Sequence, residues 1–173
     1  MGATGRWWPS RAARSSTTNG QGRNETVTAA TEPQQLYFED VQEGQQIELR
    51  VTPTTQQLVQ WAAASGDFYQ IHYDKDFAIS TGLPGVIVHG ALKHALLGRM
   101  LWEWIRYAGR IKRWAVSYRG MDVPGQEMIC RGRVTGKRVQ DGQYLVDLEI
   151  WTENPQGQRT TPGTATVILP SRG

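Results

Sequence analysis

The chain has 173 residues, of which 39% are hydrophobic and 20% charged; this suffices for one domain with its own core and is too short for two ordinary ones. No apolar run approaches the about 20 residues that span a bilayer, and Cys130 is the single cysteine. The composition therefore excludes a membrane-spanning helix, an internal disulfide and a thiol-held zinc, and fits an intracellular, cytoplasmic protein. The formal charge of +3 owes much to Arg6, Arg11, Arg14 and Arg23, so the remainder is near neutral and lacks the domain-wide basic footprint of a nucleic-acid binder.

Residues 1–33 are rich in Ser, Thr, Gly, Gln and Arg and have no spaced apolar positions after Trp7-Trp8. That is the composition of a disordered N-terminal extension; an organelle-targeting segment would show an amphipathic helix pattern, which is missing. A folded domain is expected over residues 34–173. Leu36-Tyr37-Phe38 reads as a short strand, followed after Glu43-Gly44 by a second strand, Ile47 to Val51, with period-two alternation. Thr54 or Thr55 can cap a helix that carries Leu58, Trp61 and Ala62 and stops at Gly66. A loop from Asp67 to His72 and a short helix from Lys75 to Ser80 follow.

After Val86-Ile87-Val88-His89, the spacing of Leu92, Leu96, Leu97, Met100, Leu101, Trp104, Ile105 and Ala108 predicts one long helix. It opens at Gly90 and closes at Gly109, about 30 Å at ~1.5 Å per residue. Beyond it the chain alternates like strands. Trp114, Val116 and Tyr118 share one face. Asp141-Gly142 is a hairpin signal between Val134–Val139 and Tyr144–Ile150, Asn154-Pro155-Gln156-Gly157 marks another reversal, and the last strand is Thr164 to Leu169. The expected fold class is α+β, a curved antiparallel sheet wrapped around the long helix so that its apolar face is buried.

The chemistry concentrates in two stretches: Gly66-Asp67-Phe68-Tyr69-Gln70-Ile71-His72, and Val88-His89-Gly90-Ala91-Leu92. An Asp five residues before a His decides nothing by itself, since on a helix the two side chains would splay apart. A bend would let them converge, and Gly66 with the polar Tyr69-Gln70 offers one.

Together the two stretches resemble the hydratase motif of the MaoC-like, (R)-specific enoyl-CoA hydratase family, which has the hotdog fold; the resemblance covers about residues 36–170. It implies a lyase that adds water across C2=C3 of a 2-enoyl thioester, or removes it from a 3-hydroxyacyl thioester. Asp67 and His72 would position and activate one water, and Gly90 would offer its backbone N–H to the thioester oxygen. Tyr69, Val88 and Arg119 are the candidate substrate-binding residues, with acyl-CoA or an acyl carrier protein bringing the substrate; no metal and no cofactor are expected. Two departures from the family pattern stand out. Its usual Asn-Pro between Asp and His is Tyr69-Gln70 here, and a small hydroxyl residue used by some relatives falls on Gly98, which points to an altered acyl pocket. A homodimer is expected, or a hetero-oligomer with a related hotdog chain.

Two other functions fit the same residues: a hotdog thioesterase, or a catalytically silent acyl-CoA-binding partner subunit. The remaining polar residues have simple structural readings. His89 is expected to be a hydrogen-bonded structural histidine, His94 a helix-surface or interface residue, Cys130 a small core residue, and Asp74 and Asp76 part of a solvated helix start. Arg113, Arg119, Lys137 and Arg138 could grip phosphates of coenzyme A or lie on solvated strand faces.

Overall fold

The computed structural model describes residues 34–173; the N-terminal extension expected over 1–33 lies outside the described residues. Strand β1 (Gln46–Val51) leads into helix α1 (Thr55–Ser65), α2 (Lys75–Ser80) and the long α3 (Gly90–Ile105); strands β2 (Arg110–Val116), β3 (Met128–Gln140), β4 (Gln143–Glu153) and β5 (Gly163–Leu169) complete the chain. All strand pairs are antiparallel, in one five-stranded sheet of order β1-β3-β4-β5-β2. Leu97, Met100, Leu101 and Ile105 of α3 pack into the inward side chains of the sheet, among them Cys130, Val134, Val146, Leu148, Ile150 and Val167. This is the hotdog arrangement, one sheet around one helix. Among the described residues, no helix is long and apolar enough to cross a membrane.

The local signals explain most of the elements. Thr54 caps α1 through the Gln57 N–H, and the Gln57 side chain answers to the Thr54 N–H, a reciprocal box that satisfies two otherwise free donors. Asp141 and Gly142 both have positive φ, 51° and 71°, the tight turn that joins β3 to β4 with the twist a hairpin needs. β3 starts earlier than expected, at Met128, because Met128, Cys130 and Val134 alternate inward while Arg131 and Arg133 face outward.

Two expectations are corrected. Leu36 to Phe38 is not a strand: a 3-10 turn occupies Phe38–Asp40. The Asp40 carboxylate accepts from the Tyr37 N–H at 3.0 Å, and the Phe38 N–H donates to Pro170 at 2.9 Å, so these backbone groups are spent locally. The long helix closes at Ile105 rather than Gly109, about 24 Å at ~1.5 Å per residue. Arg106 leaves the helix at φ 63°. The Gln35 side-chain amide clasps the end, donating to the Ile105 carbonyl at 2.9 Å and accepting from the Ala108 N–H at 2.8 Å.

The outer face of the sheet is charged and paired: Arg131 with Glu48, Arg133 and Arg159 with Glu149, and Arg138 with Asp147. Lys137 donates to the Val41 carbonyl and lies over the Phe38 ring. Arg138 and Lys137 are thus engaged in the sheet itself.

Candidate active site

Leu58 and Ala62, four apart, bury one side of α1. At its end Gly66 turns left-handed, φ 79°, while its N–H still bonds the Ala62 carbonyl; a side chain there would be strained. The turn throws Asp67 off the helix axis into an exposed position. Five residues on, a 3-10 turn at Gln70–His72 brings the chain back, and Asp74 caps α2 by accepting from the Phe77 N–H at 3.0 Å. The bend that the pair needs is therefore made by Gly66 and the 3-10 turn together.

His72 is 7% exposed. Its Nδ1 donates to the Ile87 carbonyl at 2.7 Å, and the Ile87 N–H donates to the Ile71 carbonyl at 3.1 Å. A carbonyl can only accept, so this contact places the ring proton on Nδ1 and leaves the Nε2 lone pair free. The ring lies on that of His89, centroids 3.7 Å apart and planes 21° from parallel. His89 is fully buried, and its Nε2 donates to the Asp67 backbone carbonyl at 3.2 Å. Burial first, and the neighbouring His72 next, hold His89 below the ordinary imidazole value, opposed by that bond to Asp67. Both causes favour its neutral form.

Side-chain atoms of Asp67, His72 and His89 able to bind a proton or a metal lie within 4.8 Å of one another. Two histidines and a carboxylate have the composition of a metal set; here the two rings stack 21° from parallel, and each already gives one ring nitrogen to a backbone carbonyl.

Gly90 follows His89 directly and opens α3, whose first N–H groups have no partner within the helix; the His89 side chain does not cap it. The positive end of the helix dipole therefore lies beside the His89–His72 stack. A methyl group on Gly90 would come within 3.0 Å of the Tyr118 ring, so glycine lets that aromatic wall approach the helix start.

The other sequence-predicted residues are placed as follows. Tyr69 is exposed and meets His72 edge-on at 6.5 Å. Val88 is 3% exposed, with its N–H donated to the Asp122 carbonyl at 2.8 Å; it forms part of the wall behind the site. Arg119 is exposed, and its backbone N–H bonds the Thr160 carbonyl. Gly98 faces Trp114. His94 is half-buried against the Trp114 ring, not on the open helix surface. Sequence reasoning missed the ion pair of Lys93 with Asp122, 2% and 4% exposed; a lysine in the first turn of a helix, against the dipole, is the signal that could have raised it. Next to the site, a groove of about 380 Å³ runs between α1 and α3, lined by Val51, Pro53, Trp61, Ala64, Leu92 and Leu96.

The chain is similar to known proteins in both sequence and fold. Residues 38–153 match the family described as MaoC like domain. An (R)-specific enoyl-CoA hydratase of Rhodospirillum rubrum is 27% identical over 79% of this chain and 94% of its own. The fatty acid synthase beta subunit TOXC of Cochliobolus carbonum is 36% identical over 109 residues, 62% of this chain; the chain spans only 5–6% of the fungal beta subunits it matches. Among solved structures, the (R)-hydratase from A. caviae superposes with a TM-score of 0.70 at 24% identity, covering 76% of this chain and 99% of that one.

Proposed function

This chain belongs to the MaoC-like domain family, and from that premise we propose that it hydrates 2-enoyl thioesters and dehydrates the matching 3-hydroxyacyl thioesters, with Asp67 and His72 as the acid–base pair. The observation that carries this reading is the convergence, within 4.8 Å, of an exposed carboxylate and a histidine whose free nitrogen is Nε2, beside the open N-terminus of α3. His72 Nε2 takes a proton from water as its oxygen attacks C3. The Asp67 carboxylate orients that water, and the proton taken by His72 is handed to C2 by way of Asp67, so that one water is added overall and both side chains are returned to their starting state. As negative charge collects on the thioester oxygen, the Gly90 N–H stabilises it without reorganising.

The acyl chain is assigned to the groove along Leu92 and Leu96. Both helices that wall the groove carry the chemistry at their near ends: Ala64 stands three residues before Asp67, and Leu92 two after Gly90. Its volume lies in the range of sites for small organic ligands. Tyr69, in place of the usual Asn, stands at the edge of His72 and shapes the entrance. The substrate is carried as acyl-CoA, as the name of the Rhodospirillum hydratase states for that protein. β1 and β2 are the two edges of the sheet, and an open edge favours pairing; the chain works as a dimer, with a second copy or a related hotdog chain.

The test is incubation with 2-enoyl-CoAs of graded length and branching, following both the conjugated absorbance and free thiol. Loss of absorbance without thiol is the expected result. Thiol release would replace the reading with a thioesterase, and neither signal on any substrate would replace it with an acyl-CoA-binding subunit.

A further inference from the structure

A buried ion pair stands behind the start of α3. Lys93 Nζ is 2.8 Å from Asp122 Oδ2 and donates also to the Gly120 carbonyl at 2.8 Å. Thr160 donates to the same Asp122 oxygen at 2.6 Å, and the Thr152 hydroxyl meets that of Thr160 at 2.8 Å. The Asp122 backbone carbonyl accepts the Val88 N–H at 2.8 Å, and the Arg119 and Gly120 N–H groups both go to the Thr160 carbonyl. The second carboxylate oxygen of Asp122 has no partner among the described residues.

Stability does not explain this pair. Desolvating two charges costs as much as their attraction returns, and well-packed apolar side chains would serve the fold as well. A cation in the first turn of a helix opposes the helix dipole, and a partly satisfied buried network is costly. What the pair does have is direction. It ties the first turn of α3 to the segment 118–122, whose Tyr118 ring lies against Gly90, while the same Asp122 holds Val88, the residue before His89. One residue thus ties both chain segments that meet at the site, its carboxylate to Lys93 of α3 and its backbone carbonyl to Val88.

We propose that Lys93 and Asp122 are positioning residues, which set the Gly90 N–H and the Tyr118 wall against the thioester oxygen. This rests on the hydratase reading above. Neither side chain touches substrate; each acts through the backbone it holds.

The test replaces the pair by apolar residues, Lys93→Met with Asp122→Leu, and separately breaks one tie with Thr160→Val. For each variant the melting temperature, kcat and KM on the best 2-enoyl-CoA, and amide hydrogen exchange at residues 88–93 are measured. The double variant should melt within a few degrees of wild type, lose roughly 10- to 100-fold in kcat with KM changed less than about threefold, as expected for misplaced catalytic groups, and exchange faster at residues 88–93. Thr160→Val should show a smaller loss of the same kind. Wild-type kcat and wild-type exchange in a folded double variant overturn the proposal. Should the double variant fail to fold, Thr160→Val decides alone: unchanged kcat and exchange there overturn it. If wild type hydrates no substrate on the panel, the hydratase reading falls, and the exchange data still decide whether the pair holds the helix start.

Discussion

Gly90→Ala should separate catalysis from stability. The added methyl would stand 3.0 Å from Tyr118 Cδ1 and 3.1 Å from Cε1 and Cγ, where carbon atoms normally rest about 3.5–4.0 Å apart. The ring must therefore retreat by about half an ångström or more. Tyr118 is 54% exposed, so it can swing outward at little cost to packing. Alanine in place of glycine in a helix gains up to about 1 kcal/mol, which offsets the crowding. The fold should stay within about 1 kcal/mol of wild type, a few degrees in Tm for a domain of this size. Catalysis has no such relief. The methyl projects beside the N–H proposed to meet the thioester oxygen, and the displaced ring no longer lines the approach. Complete loss of an oxyanion donor costs on the order of 10²–10³-fold; alanine keeps the N–H, so the expected loss in kcat/KM is about 10- to 100-fold. The assay is disappearance of enoyl absorbance, run beside a thermal melt. Wild-type kcat/KM in a variant that melts like wild type would refute the role given to the helix start.

Asp67→Asn and His72→Ala should each lower kcat by about 10²–10⁴-fold with the fold retained; wild-type turnover in either variant removes that residue from the chemistry. Because His89 is held below the ordinary imidazole value, the unfolded chain takes up its proton first, so the stability this histidine contributes is complete above pH about 6.5 and is lost as pH falls through the lower folded-state value. His89→Phe, which keeps a flat ring on His72 and cannot be protonated, should flatten that slope in urea unfolding measured from pH 7.5 to 5; an identical slope counts against it. Burial pushes the Cys130 thiol up to about 12, so thiol reagents at pH 8 should leave it unmodified in the native protein and label it on unfolding; rapid native labelling would contradict its place in the core.

Much of the fold was legible because its signals are local. Thr54, Gly66, Asp74 and Asp141-Gly142 each act within a few residues, and the structure uses all of them as caps or turns. The end of α3 was not legible, because the group that stops it, Gln35, lies 70 residues away in sequence. The same division runs through the candidate site. Asp67, His72 and Gly90 stand out as a motif. The bond from His89 to Asp67 spans 22 residues and that from Lys93 to Asp122 spans 29, and neither partner carries a local pattern that names the other. A lone histidine or lysine beside an apolar run looks the same whether or not a partner meets it in the fold.

The clasp made by Gln35 also sets where the chain can be cut or joined. The side chain that terminates the central helix comes from Gln35, 70 residues earlier in the chain, so the helix depends for its stop on a segment far from it in sequence. A shortened version starting at Leu36, or a fusion that buries Gln35 in a stiff junction, would leave the Ile105 carbonyl and the Ala108 amide to water and let the helix end fray, in a region where Trp104 and Ile105 hold the sheet. Any version that retains Gln35 keeps the clasp.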